Sequence, residues 1–260
     1  LSDSRFNISK DKSPQPEPRA SHPIYSEAAE LMRRIKESEG ERVYWKMEAL
    51  SATFFVFAEN RLELVRRLRE LENPENRSKV FGVRNREVLR LFQRDITRLL
   101  HNFLAAVYTL KEHTRNLTRE LYDGRPFNAE YERKTTALFS DSAFARFVQD
   151  LRRWMVHEGL LPVEVRLYDT GKNGELVSSV VLNADDLRCW KDWVAPAREY
   201  LASTTSDLRL LDVVEGYSFL VQGFYSWLEK RMLEIHSVAL LEVGELESRL
   251  NALYGVTDRR

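Results

Sequence analysis

Three arginine–histidine pairs have a spacing that suits chemistry on a phosphodiester: Arg94/His101, Arg152/His157 and Arg231/His236. In each, four to six residues separate the two side chains. Imidazole titrates near neutrality and can take a proton from a ribose 2′-hydroxyl. Guanidinium stays charged, and its planar fork can hold phosphoryl oxygens as negative charge builds on them. On a helix the spacing can bring both groups to one phosphate, and together they suit RNA cleavage without a metal ion. With five histidines among many arginines, such spacings also arise by chance, so context has to separate the three.

His101 sits mid-helix among Leu99, Leu100, Phe103 and Leu104. That setting also fits a structural histidine, buried or at an interface, so Arg94 and His101 are secondary candidates. Arg231/His236 lies in a long helical stretch with little to mark it. Arg152/His157 differs, in the run Leu151-Arg152-Arg153-Trp154-Met155-Val156-His157-Glu158-Gly159. His157 falls in the last turn of a helix, where the dipole favours imidazolium, and element ends are both rigid and reachable. The same placement is a common structural device, so local physics leaves a catalytic and a structural role open. Arg153, beside the pair, can add a phosphate contact.

Other chemistries lack their signatures. No His/His or His/Glu pair stands at metal-ligand spacing, and the single Cys189 gives neither a cysteine zinc site nor an internal disulfide. There is no glycine-rich phosphate loop, G-x-S-x-G elbow or dinucleotide fingerprint, so no metal or cofactor is expected. Forty basic residues balance forty acidic ones, which removes any global pull toward nucleic acid but leaves room for a local arginine patch. A sequence-specific DNA binder fits poorly on the same ground. Trp154, Trp190, Trp193 and Trp227 could stack on bases, yet their helical spacing fits core packing. Arg61, Arg66, Arg67 and Arg69 alternate with Glu59, Glu63, Glu70 and Glu72, as on a solvated helix face.

The elements that must position these residues are mostly helices. Residues 1–23, with Ser13-Pro14-Gln15-Pro16-Glu17-Pro18, read as a disordered arm, and 24–260 as a single helical domain. A short helix is expected over Ser26–Ser38, with Gly40 past its end. Two long breaker-free segments over 41–122, stopped by Asn73-Pro74 and Asp123-Gly124, predict an antiparallel helical hairpin. Asn128 and Asp141 read as N-caps, the second opening the motif helix 141–158, which Gly159 closes. The period then switches to alternation over 163–182 across Asp169–Gly174, the pattern of a β-hairpin. Helices follow over 184–254, with a kink or interruption at Pro196 and room for a bend or a close helix contact at Gly216, Gly223 and Gly244. The fold class is therefore all-α in the main: an antiparallel helical bundle with one inserted β-hairpin. No apolar run spans a bilayer, the N-terminus is polar, and the lone cysteine fits a reducing compartment, so a cytoplasmic protein without membrane contact is expected.

Leu151–Pro162 resembles the motif helix of HEPN domains, whose pattern is Arg-x(4–6)-His, with Arg152 and His157 at the two defining positions. Arg153 stands where that pattern often has Asn, a departure that bears on activity rather than on fold. Leu100–Val107, continuing to His113-Thr114-Arg115, also resembles uncharacterised bacterial proteins with such a helix, and the likeness extends over about residues 85–240. The resemblance implies a helical bundle that homodimerises so that two motifs share a cleft. It also implies RNA as substrate and a defence or toxin role with a protein partner such as an antitoxin. Arg152 and His157 would be catalytic and Arg153 substrate-binding. The competing expectation is a non-catalytic helical interaction protein in which the same pair is structural.

Overall fold

A computed structural model describes residues 23–82, 85–169 and 176–255. The arm expected over 1–23, except Pro23, and the turn signal Thr170–Gly174 lie outside the described residues. The described chain is mainly α-helical with one small antiparallel sheet, as the hydrophobic periods require. None of the described helices is long and apolar enough to cross a membrane.

The chain divides into two compact units: residues up to Val43 together with those from His236 on, and Tyr44–Ile235. In the first unit, α1 (Pro23–Glu37) packs on α10 (Ser237–Leu253). Leu31 and Ile35 recur at i, i+4 on one, Val243 and Leu246 at i, i+3 on the other, and the four are buried together. Helix α1 opens at Pro23, three residues before the expected Ser26; proline suits a first helical turn because its missing N–H has no intrahelical partner there. Gly40 does not terminate a helix. It lies in the first turn of α2 (Glu39–Arg69), where a Cβ would stand 2.1 Å from the Ala239 carbonyl oxygen of α10.

In the second unit, α2 runs antiparallel to α4 (Arg86–Tyr122). The ion pairs Lys46–Glu120 at 2.7 Å, Arg98–Glu63 at 3.5 Å and Arg67–Asp95 at 3.0 Å fall in descending register. Phe57 meets Phe103 at 5.8 Å between ring centroids inside that pair. The expected hairpin of helices is present, but its connection holds a further helix, α3 (Pro74–Phe81). Asn73-Pro74 stops α2 and also starts α3: the Asn73 side chain caps Glu75 N at 2.8 Å, and Pro74 takes the first turn.

Helix α5 (Pro126–Thr135) begins two residues before Asn128, which lies inside it rather than at its cap. It widens into a π turn over Thr136–Ser140, closed by Asp141 N–H to the Thr136 carbonyl at 2.9 Å. Asp141 ends that turn, and Ser142 caps α6 (Ala143–His157), its Oγ accepting from Ala145 N at 3.2 Å. Strands β1 (Val163–Asp169) and β2 (Leu176–Leu182) pair in the register Val163↔Leu182 to Asp169↔Leu176. A third strand, β3 (Leu208–Arg209), joins β2, so the insertion is a three-stranded sheet. It packs on α4, on α9 (Leu210–Ile235) and on the turn Glu70–Glu72, where Ser178 Oγ donates to the Leu71 carbonyl at 2.6 Å. Between β2 and β3 come α7 (Ala184–Arg188) and α8 (Ala195–Ser203); Pro196 starts α8 instead of kinking a longer helix. Helix α9 runs unbroken through Gly216 and Gly223, and α10 through Gly244; of the three only Gly216 makes a close contact, a Cβ there standing 3.3 Å from the Phe144 ring, and the last long stretch breaks at His236.

Candidate functional site

Helix α6 is held along its length before it offers any side chain to solvent. Phe147, Val148 and Leu151 are fully buried. Trp154 meets Trp190 and Trp193 at 5.3 and 5.8 Å, and those two meet each other edge-on at 4.8 Å. Trp193 Nε1 donates to the Leu187 carbonyl at 2.6 Å, and Trp190 Nε1 to Glu158 Oε1 at 2.9 Å. The tryptophans are therefore a packed cluster that fixes the C-terminal half of α6. Asp150, only 5% exposed, accepts from Val194 N at 2.9 Å and ties the start of α8 to α6. Gly159 then turns the chain away at φ +143°, a conformation that favours glycine.

On this support α6 and α4 form a cleft of about 230 Å³. Arg152, Arg153 and His157 line it from α6, as does Arg146, while Tyr108 and Lys111 line it from α4. Among the described residues, the only acidic side chain in its wall is Asp150. The cleft is thus locally cationic in a chain of zero formal net charge. Arg152 places its Cζ 3.6 Å from the centroid of the Tyr108 ring. Arg153 lies 5.1 Å from the Trp190 centroid and 3.5 Å from Asp150. Five residues of a helix advance about 140° beyond one full turn, so Arg152 and His157 do not share a face of α6. Arg153, four residues before His157, shares its face, and the arginine side chains' reach brings all three to one cleft. His157 is exposed.

Sequence reasoning missed Lys111 and Arg146. Lys111 Nζ donates to Gln149 Oε1 at 3.4 Å. Its ammonium is held below the ordinary lysine range, by partial burial first, with Arg146 and Arg115 adding to the effect and Glu112 and Asp150 opposing it. Arg146 has no acidic partner among the described residues, although it lies only half-exposed. Arg146, Gln149, Asp150, Arg153 and His157 fall at i, i+3, i+4, i+7 and i+11, one face of α6, so Arg146 was legible in the pattern. Lys111 was not, because only the packing of α4 on α6 brings it there.

The other pairs sit elsewhere. Arg94 and His101 are exposed on α4 and do not line the cleft. Arg231 is bound to Glu130 at 3.0 Å and to Glu234. His236 is buried at the start of α10, its Nδ1 3.6 Å from Glu39 Oε1. His113 Nδ1 shares a hydrogen bond with Thr53 Oγ1 at 2.9 Å. Comparison with family models, with curated proteins and with solved structures finds no match to this chain. Among the described residues, no three His, Cys, Asp or Glu side chains gather as a metal site would require.

Proposed function

We propose that the α4–α6 cleft binds the phosphodiester backbone of RNA and that the protein is a HEPN-like, metal-independent endoribonuclease. The observation that supports this best is the gathering of Lys111, Arg146, Arg152, Arg153 and His157 around one cleft whose only acid among the described residues, Asp150, is buried and already bonded. Polyanion binding is favoured by such a local field even at zero net charge. In the proposed reaction the ribose 2′-oxygen attacks the adjacent phosphorus and His157 takes the 2′-proton. Arg152 and Arg153 stabilise the charge that builds on the equatorial oxygens. The bond to the 5′-oxygen breaks as that oxygen gains a proton, leaving a 2′,3′-cyclic phosphate and a 5′-hydroxyl. One imidazole per cleft supplies one of the two proton transfers, so the proposal includes a homodimer in which a second copy supplies the other.

The test is purified protein with mixed RNA in a chelator, read for new 2′,3′-cyclic phosphate ends. His157→Ala should lower cleavage by about 10²- to 10⁴-fold, the usual weight of a positioned imidazole. Its exposed position means the helical signal should not change. Equal cleavage by wild type and His157→Ala, or none by either, would remove the nuclease reading. A single monomer near 30.5 kDa in light scattering under cleaving conditions would remove the shared site.

A non-catalytic interaction module is the second reading, and one observation favours it. Arg152 and Arg153 each lie against an aromatic ring and Arg153 also faces Asp150, so both arginines already serve in packing.

A further inference from the structure

Next to the cleft, α4, α5, the π turn, α6 and α9 enclose a larger pocket of about 500 Å³, within the usual size range of small-molecule sites. Its body is apolar and aromatic: Leu110, Phe139, Val221 and Phe224 line it with Tyr225. The wide turn at Thr136–Ser140 sets Phe139 5.5 Å from the Phe224 ring and 6.2 Å from Tyr217. Such π turns are frequent at functional sites.

Polar side chains also line the pocket, and several are fixed by hydrogen bonds. The Tyr225 hydroxyl meets Thr114 Oγ1 and donates to the Leu110 carbonyl at 3.3 Å. The Tyr217 hydroxyl is hydrogen-bonded to Gln149, whose Oε1 receives Lys111 Nζ. Burial pushes both phenols well above the ordinary tyrosine range, so they stay neutral donors. The rim is cationic. Lys111, Arg115, Arg119 and Arg146 border it, against Asp123 and Glu132. Arg115 is held by Glu112 at 2.6 Å and Arg119 by Asn116 at 3.1 Å. Lys111 and Arg146 have no ion pair among the described residues and remain to meet a ligand.

We infer that this pocket binds a small organic anion. Its flat apolar body would lie among Phe139, Val221, Phe224 and Tyr225, and its sulfonate, phosphate or carboxylate head against Lys111 and Arg146. Apolar walls joined to convergent polar groups are the usual design of a small-molecule site, and a charged head on two cations without ion pairs gains charge-assisted hydrogen bonds. Lys111, Arg146 and Gln149 line both the pocket and the α4–α6 cleft. An occupied pocket therefore draws those two cations away from the cleft.

The full chain is titrated, without RNA, with the fluorescent anion anilinonaphthalene sulfonate, and competition is run with naphthalene sulfonate, phenyl phosphate and octanoate to rank the heads. Saturation at one probe per chain is expected, with displacement by the aromatic anions but not by inorganic sulfate. Arg146→Met and Lys111→Met should each weaken binding about tenfold or more, as loss of a charge-assisted bond does. Binding of the neutral amine anilinonaphthalene should be unchanged by either. Val221→Trp, which fills the pocket, should abolish probe binding. If that variant does not fold, the two rim substitutions decide alone. Unsaturable binding, several probes per chain, or equal affinity in wild type and both rim variants overturns the inference. Because no RNA is present, the result is separate from the nuclease proposal.

Discussion

The Arg152 guanidinium stands over the Tyr108 ring, 3.6 Å from its centroid, and so an arginine of α6 is aimed by an aromatic side chain of α4. Tyr108 is itself exposed, which makes the pair a device for orientation more than for burial. Cation–π contacts at such sites contribute about 0.5–1 kcal/mol. Tyr108→Ala should lower RNA cleavage several-fold with little change in thermal stability, while Tyr108→Phe, which keeps the ring, should restore it. Arg152→Lys keeps the charge but loses the planar fork, so it should rescue Arg152→Ala poorly. Full rescue by lysine in the cyclic-phosphate assay would show that only charge is needed at this position.

Asp150 tests whether the cleft's acid belongs to catalysis or to the frame. It accepts the Val194 N–H and is 5% exposed. Asp150→Ala leaves that part-buried donor without its partner, at a cost of about 1–3 kcal/mol. Chemical denaturation should show this loss, and Asp150→Asn, which retains an acceptor oxygen, should recover most of it. A frame residue should also leave RNA affinity no weaker after Asp150→Asn, since a negative charge leaves the cleft. Unchanged stability in the alanine variant would count against the frame role.

What could be read from the sequence depended on how local its cause was. The helical hairpin, the motif helix and the strands β1 and β2 follow from hydrophobic period and from breakers such as Asn73-Pro74 and Gly159, which act within a few residues. Strand β3 is two residues long, too short to show a period, and exists because β2 offers it an edge. The break before α10 falls at His236, with neither proline nor glycine there, so no breaker announced it. At the site, Arg146, Arg153 and His157 share a helix face visible in their spacing. Their gathering with Lys111 and Tyr108 comes from helix packing between residues about forty positions apart, which no local pattern encodes.

Gly40 carries a sharper packing test than the larger core residues. A Cβ there would stand 2.1 Å from the Ala239 carbonyl oxygen and 2.8 Å from its carbon, and backbone cannot swing aside as a long side chain can. Gly40→Ala, which would raise helix propensity in an open helix, should here destabilise by about 1–3 kcal/mol, the usual cost of overpacking. Gly244→Ala in α10, where a Cβ meets nothing within 4 Å, should instead be neutral or mildly stabilising. Hydrogen exchange at α1 and α10 amides would localise the effect to the first unit. Equal behaviour of the two alanine variants would contradict the close approach.

The buried phenols give stability a dependence on alkaline pH whose sign can be fixed in advance. Burial raises the pKa of Tyr217 and Tyr225 above the ordinary value of 10.0, and by less those of Tyr131 and Tyr200. Below that value the phenols are neutral both folded and unfolded, so they contribute no slope. Above it the unfolded chain loses phenolic protons while the folded chain keeps them. The folded state then binds more protons, and stability must fall as pH rises from the ordinary value toward the raised ones. Tyr217→Phe and Tyr225→Phe remove an ionisable group from both states. Each should cost about 0.5–1.5 kcal/mol at neutral pH through its lost hydrogen bond. Each should also make the alkaline decline shallower, with the double variant shallower still, although Tyr131 and Tyr200 keep some slope. The check is denaturant unfolding of wild type and variants at neutral pH and at a pH one unit above the ordinary tyrosine value. Parallel declines in wild type and the double variant would mean that both hydroxyls ionise freely in the folded chain, and the pocket floor would then be wet.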